Sequence, residues 1–164
     1  MTKFFKVIRF DSSDDNVFPL GAQPEEWAVS AAFEFAQLPE EAIKGKVKQA
    51  FANGMLGLGS GGRSTFVTVA EITDSEKANA VEQLTQYCVS ELGAPSADAA
   101  RPVAAEEVDY IAEMCAERPV NTLFAVRRHI DDDGNLREAF HEVKRAPEGE
   151  AGHAKIWEVV PDDV

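Results

Sequence analysis

Two strand-like runs, residues 122–130 and 136–144, flank Asp131-Asp132-Asp133-Gly134-Asn135, and they bury their apolar residues together in one register only. A three-residue loop with Gly134 left-handed in a bulge suits the central residues. It pairs Asp131 with Asn135, Ile130 with Leu136 and Arg128 with Glu138. One face then carries Phe124, Val126, Ile130, Leu136 and Phe140. A two-residue loop would split that set between faces, because side chains alternate with period two. The C-terminal third is therefore predicted as a β-hairpin, with residues 155–160 adding a last strand near an edge.

The same reading extends along the chain. Residues 3–10 hold apolar side chains on both parities, as a strand covered on both faces does. Residues 11–26 form a long loop. In residues 27–36, Trp27, Val29, Phe33 and Phe35 alternate with small or polar residues, which argues for a strand, while the alanines leave a helix open. Pro39 opens a helix with Ile43, Val47, Ala50 and Phe51 on one stripe, ended by Asn53-Gly54, which offers a residue able to turn left-handed. Residues 65–72 are rich in β-branched residues and predict a strand. Thr73-Asp74-Ser75-Glu76 is a capping box for a helix bearing Val81, Leu84, Cys88 and Leu92. Residues 94–102 read as a flexible connection to a further helix with Ala104, Val108, Ile111 and Cys115 on one face. These elements predict an α+β fold over residues 1–164, a single domain. A largely antiparallel sheet of about six strands packs against three helices.

The formal charge of −13 disfavours nucleic acid and anionic membranes as partners. No apolar run reaches the ~20 residues of a membrane span, and the N-terminus lacks the apolar stretch of a signal peptide. Cys88 and Cys115 lie in helical stripes without Cys-x-x-Cys spacing. They read as reduced core residues of a cytoplasmic protein.

Residues 57–64, Gly-Leu-Gly-Ser-Gly-Gly-Arg-Ser, miss the P-loop pattern by one residue, Arg63 standing where lysine belongs. The context opposes a P-loop. A helix precedes the stretch and a strand follows, so no helix N-terminus faces a phosphate, and a planar guanidinium does not replace the lysine. The expected role is a flexible connection that delivers Arg63. Together Gly59, Gly61, Gly62, Arg63 and Ser64 are candidate anion-binding residues.

The other face of the hairpin carries Arg127, His129, Arg137 and His141, with His129 opposite Arg137. This basic strip on an acidic chain suits a carboxylate, a phosphate or an acidic partner. It does not hold one metal ion, because His129 and His141 lie about 13 Å apart at strand rise. His153 sits in a Gly-containing loop. No metal or cofactor site is expected, and Asp131–Gly134 lacks calcium-loop spacing. Trp27 and Trp157 suit either a core or an interface.

Four segments resemble an uncharacterised family of small bacterial proteins with no assigned activity. They are Lys-Phe-Phe-Lys-Val-Ile-Arg-Phe-Asp at 3–11, Glu-Trp-Ala-Val at 26–29, Lys-Gln-Ala-Phe-Ala-Asn-Gly at 48–54 and Gly-Arg-Ser-Thr-Phe-Val at 62–67. The resemblance implies a bacterial origin and transfers no catalytic residue. The residues favour a non-enzymatic cytoplasmic accessory or protein-interaction domain, with homo-oligomers compatible. The alternative is a small-molecule or anion-binding domain, or an enzyme, built on Arg63 and the hairpin strip.

Overall fold

The computed structural model describes residues 2–36, 38–145 and 157–161, with backbone alone for residues 40, 145 and 157–161. His153, the Trp157 side chain and the start of the predicted last strand, residues 155–156, lie outside this description.

The fold is α+β. Among the described residues, eight strands form one sheet in the order β4-β3-β2-β1-β5-β6-β7-β8. The strands are β1 (Thr2–Ile8), β2 (Trp27–Val29), β3 (Met55–Gly57), β4 (Arg63–Ser64), β5 (Phe66–Ile72), β6 (Leu123–Ile130), β7 (Leu136–Arg145) and β8 (Trp157–Pro161). Every pairing is antiparallel. A separate parallel bridge joins Gly21 to Arg63. The helices are α1 (Ser13–Val17), α2 (Gly45–Asn53), α3 (Asp74–Glu91) and α4 (Ala97–Ala116).

The sheet curls. β4 and β5 are consecutive in the chain, separated only by Thr65, yet three strands stand between them in the sheet order. The ladder breaks at Thr65 because Asp14 takes its groups. Thr65 Oγ1 donates to Asp14 Oδ1 at 2.7 Å and its amide to Oδ2 at 3.4 Å. Asp14, from α1, is 5% exposed, so one buried carboxylate fixes the corner.

The hairpin register is the one the core pattern selects: Ile130 pairs with Leu136, Arg128 with Glu138, His129 with Arg137 and Ala125 with His141. Asp131 and Gly134 close the turn by backbone hydrogen bonds, and Gly134 has φ +82°. Phe4 and Phe5, adjacent on β1, are both fully buried, which requires cover on both faces. Burying a Phe side chain stabilises a fold by about 1.5–3 kcal/mol. The Phe5 ring packs on Phe124 and Phe140, and Phe140 on Tyr110 of α4. The capping box forms as read, with Thr73 accepting from the Glu76 amide and Glu76 from the Thr73 amide.

Several expectations are corrected. The strand expected over 27–36 stops at Val29. Ala31 turns left-handed at φ +51°, and Ala32–Glu34 coil into a 3-10 turn. The helix expected from Pro39 begins at Gly45, after a separate 3-10 turn at Glu40–Ala42. Gly54 ends it in an extended rather than left-handed conformation. Residues 97–102 are helical. Ser96 caps α4 by accepting from the Ala99 amide, and Pro102 sits inside the helix. With strands β3 and β4 and the short α1, the about six strands and three helices expected become eight and four among the described residues.

Candidate functional site

Two buried arginines meet where the curl of the sheet closes on the 30–35 loop. Arg63 and Arg128 are each 4% exposed. Arg128 alternates along β6 with exposed Arg127 and His129, so it points to the opposite face. Its Nε donates to Glu138 Oε2 at 2.7 Å. Its Nη1 donates to the carbonyls of Phe51 and Gly54, each at 2.9 Å, and of Ala50 at 3.3 Å. Its Nη2 reaches the carbonyl and hydroxyl of Ser30, each at 2.9 Å. Arg63 Nη1 donates to the carbonyls of Ser30 and Gly54 at 3.0 and 3.1 Å, and its Nη2 to Glu34 Oε1 at 2.8 Å. The Phe35 ring lies 4.7 Å from one guanidinium carbon and 5.5 Å from the other.

Carboxylates balance this buried charge. Glu34 accepts from both Arg63 and the Tyr87 hydroxyl through the same oxygen. Glu138 accepts from Arg128 and Ser30. From α4, Glu107 accepts from the strained Ala31 amide at 2.5 Å. Burial pushes the Glu107 carboxyl up, with nearby Glu138 adding to it. Burial also raises the Tyr87 phenol, and its hydrogen bond to Glu34 adds to that. Burial pulls the Arg128 guanidinium down, against the attraction of Glu138.

Two clefts open beside the arginines. The larger, about 780 Å³, lies between the 3-10 turn and the α3–α4 joint, against Phe33, Cys88, Leu92 and Val103. The smaller, about 360 Å³, is walled by Leu20, Phe35, Val47 and Arg63. Glu34, Leu38 and Tyr87 line both, so the Glu34–Tyr87 pair stands at their shared boundary. Convergent polar groups in an apolar cleft are the usual form of a small-molecule site.

The glycine stretch is a hairpin turn between β3 and β4, closed by Gly57 N–H to the Gly62 carbonyl at 2.8 Å. Its amides do converge on an anion, but the anion is the chain's own. Gly59 N and Ser60 N both donate to Glu26 Oε1 at 2.7 Å, and Ser60 Oγ to Glu26 Oε2 at 2.6 Å. Gly61 turns at φ +75° beside Tyr87. Ser64, fully buried, donates to the Phe66 carbonyl. Of the residues singled out from sequence, Gly61 and Arg63 reach the smaller cleft.

The basic strip stands apart from them. Arg127, His129 and Arg137 are exposed on the outer face of the hairpin. Arg137 Nε donates to Asp131 at 2.7 Å. The Asn135 amide and then Arg137 hold the Asp131 carboxyl below its ordinary value. His141 is half-buried, with Nδ1 enclosed and no partner among the described residues. Arg63 and the strip therefore do not share a cleft.

The family of unknown function DUF6505 matches residues 1–156. The chain belongs to this family. No curated protein matches it, and no solved structure does. In this DUF6505 chain, sequence reasoning reached Arg63 but missed Glu34, Tyr87, Glu107 and Arg128. The signal for Arg128 was present in the register: it shares its face with Phe124 and Val126, so an arginine there must be buried and paired. Glu34 and Tyr87 gave no such signal, since both lie outside the apolar stripes.

Proposed function

We propose that the protein is a small-molecule binding domain, with the Arg63–Glu34–Tyr87 cluster as the polar end of its site. One observation carries this reading. Arg63 lines an apolar cleft, and three of the five N–H groups of its guanidinium have partners among the described residues. Nothing in the arrangement requires a reaction, so the domain acts by binding. The charge of −13 opposes nucleic-acid and anionic-membrane partners. The two free, buried cysteines suit a reducing cytoplasm, and the resemblance of the N-terminal half suits a bacterial source.

A thermal-shift panel of cationic, anionic and neutral small molecules tests the site, since a ligand that binds the native state raises Tm. The expected result is a shift for one chemical class that disappears in Leu38→Asp. Leu38 is 38% exposed and lines both clefts. A shift that survives Leu38→Asp places the ligand elsewhere.

The exposed strip supports a second reading, docking of an acidic protein through Arg127, His129 and Arg137. A partner that co-purifies with the wild type and is lost from Arg127→Glu/Arg137→Glu would favour it.

A further inference from the structure

We infer that the smaller cleft takes a molecule whose apolar body ends in a carboxylate, and that this carboxylate replaces Glu34 on Arg63. The inference rests on the ligand-binding reading and adds the chemistry of the ligand.

Start from the donors that Arg63 has left. Its Nη1 is used twice and its Nη2 once. Among the described residues, Nε–H and one Nη2–H have no partner. Arg63 Nε is not among the enclosed side-chain nitrogens that lack partners, which are Arg9 Nε and His141 Nδ1. Nε is therefore not a sealed, unpartnered atom, and its residue lines the cleft. Nε and Nη2 share one edge of the guanidinium, the edge that matches a carboxylate with two parallel hydrogen bonds. Glu34 does not use that match. It meets Arg63 through a single oxygen, which also accepts from Tyr87.

Glu34 is also the carboxylate best placed to leave. It sits on a 3-10 turn, its side chain 23% exposed, on the boundary with a second cleft into which it can swing. Glu138, by contrast, is fixed in the β7 ladder and held by both Arg128 and Ser30. A ligand carboxylate exchanging for that of Glu34 leaves the local charge unchanged. A phosphate would add charge beside Glu34 and Glu138. An ammonium group would meet the remaining donors of Arg63.

The walls select the rest of the molecule. Leu20 and Leu38 are 54% and 38% exposed at this cleft. Phe35 and Val47 continue the apolar surface inward. The volume of about 360 Å³ lies at the small end of ligand pockets. An unbranched or compact acyl carboxylate fits this description.

The test is calorimetric titration of the full chain with octanoate and with 1-octanol, which share the apolar body and differ in the head group. Methyl chemical shifts of Leu20 and Leu38 locate the site. Octanoate is expected to bind about tenfold tighter than octanol, a difference of one charge-assisted contact. Glu34→Gln is expected to tighten octanoate several-fold, because the competing charge is gone. Equal binding of the two probes, or octanoate binding unchanged or weakened in a folded Glu34→Gln, overturns the exchange while leaving a ligand site in place. No methyl shift with either probe overturns the site as well. If Glu34→Gln does not fold, Leu38→Asp decides: octanoate binding must fall at least tenfold, and retention overturns the inference.

Discussion

Arg63 and Arg128 donate to the same two carbonyl oxygens, those of Ser30 and Gly54. Two like charges are thus brought together across the end of α2, and the arrangement holds because acceptors surround them. Removing Arg128 takes its donor from the Phe51 carbonyl and leaves the Glu138 carboxylate without its arginine in a buried setting, with Arg63 alone on the Ser30 and Gly54 carbonyls. Arg128→Met is therefore expected to destabilise the fold by about 3–5 kcal/mol, read as a lower midpoint in urea unfolding. Arg127→Ala, one residue away and exposed, should stay within about 0.5 kcal/mol of wild type. Equal effects at the two positions would contradict the buried role of Arg128.

Gly62 tests the closure of the curled sheet. A Cβ there would lie 2.5 Å from the Gly21 carbonyl oxygen and 2.7 Å from the Ala22 nitrogen, both backbone atoms that cannot move aside. Gly62→Ala should cost about 1–3 kcal/mol as overpacking does. At Gly59 the nearest contact is the end of the Glu26 side chain at 3.2 Å, so Gly59→Ala should cost clearly less. Paired denaturation curves compare them.

The contrast between these glycines shows what the sequence could and could not convey. The hairpin register was legible because Phe124, Val126 and Phe140, all buried, had to share one face, and a slip would have exposed them. The α3 cap was legible because Thr73 and Glu76 satisfy each other locally. β3 and β4 were not. Their residues, Met55–Gly57 and Arg63–Ser64, are too few to show a period, and the sheet closure that defines them is a long-range event. The start of α4 was misread because Pro102 and the small residues around it resemble a linker, whereas the Ser96 cap and packing along α3 make them helix. Arg63 was legible as an oddity, but its partners come from residues 30, 34 and 54, which only the folded chain assembles.

Glu26 holds the glycine turn, and its removal should loosen that turn. Three hydrogen bonds from residues 59 and 60 end on its carboxylate. Hydrogen bonds to a charged acceptor contribute about 1.5–3 kcal/mol. Glu26→Ala should therefore speed amide exchange at Gly59 and Ser60 well beyond that of the β6–β7 ladder. Unchanged protection there would mean that the backbone of the β3–β4 hairpin suffices without the carboxylate.

The pH dependence of stability carries a signature of Glu107. Its folded-state pKa is raised, first by burial and then by Glu138, against the hydrogen bond from the Ala31 amide. Between the unfolded and folded values, the folded protein holds a proton that the unfolded chain has released. Stability from this group is full below its unfolded value and falls as pH rises through the folded value. Glu107→Gln, which still accepts from Ala31, should flatten that decline in urea titrations run upward from the unfolded value. A wild-type curve that rises through this window with the same slope as Glu107→Gln would refute it.

The two cysteines should separate by reactivity. Both are free and buried. Cys115, on the buried face of α4, is completely enclosed, and burial pushes its thiol up to about 12. Cys88 is also raised by burial, with Glu107 adding to it, but it lines the larger cleft. Thiolate, not thiol, reacts with alkylating agents, so both should label slowly at pH 8. Iodoacetamide can reach Cys88 through the cleft, whereas Cys115 needs the core to open. Mass spectrometry of timed samples should show Cys88 modified first and Cys115 only at the rate of global unfolding. A ligand in the larger cleft should slow Cys88 and leave Cys115 unaffected except through its gain in stability. Cys115 labelling as fast as Cys88 would show that α4 opens locally, and the packing that places Val108, Ile111 and Cys115 in one core would have to be revised.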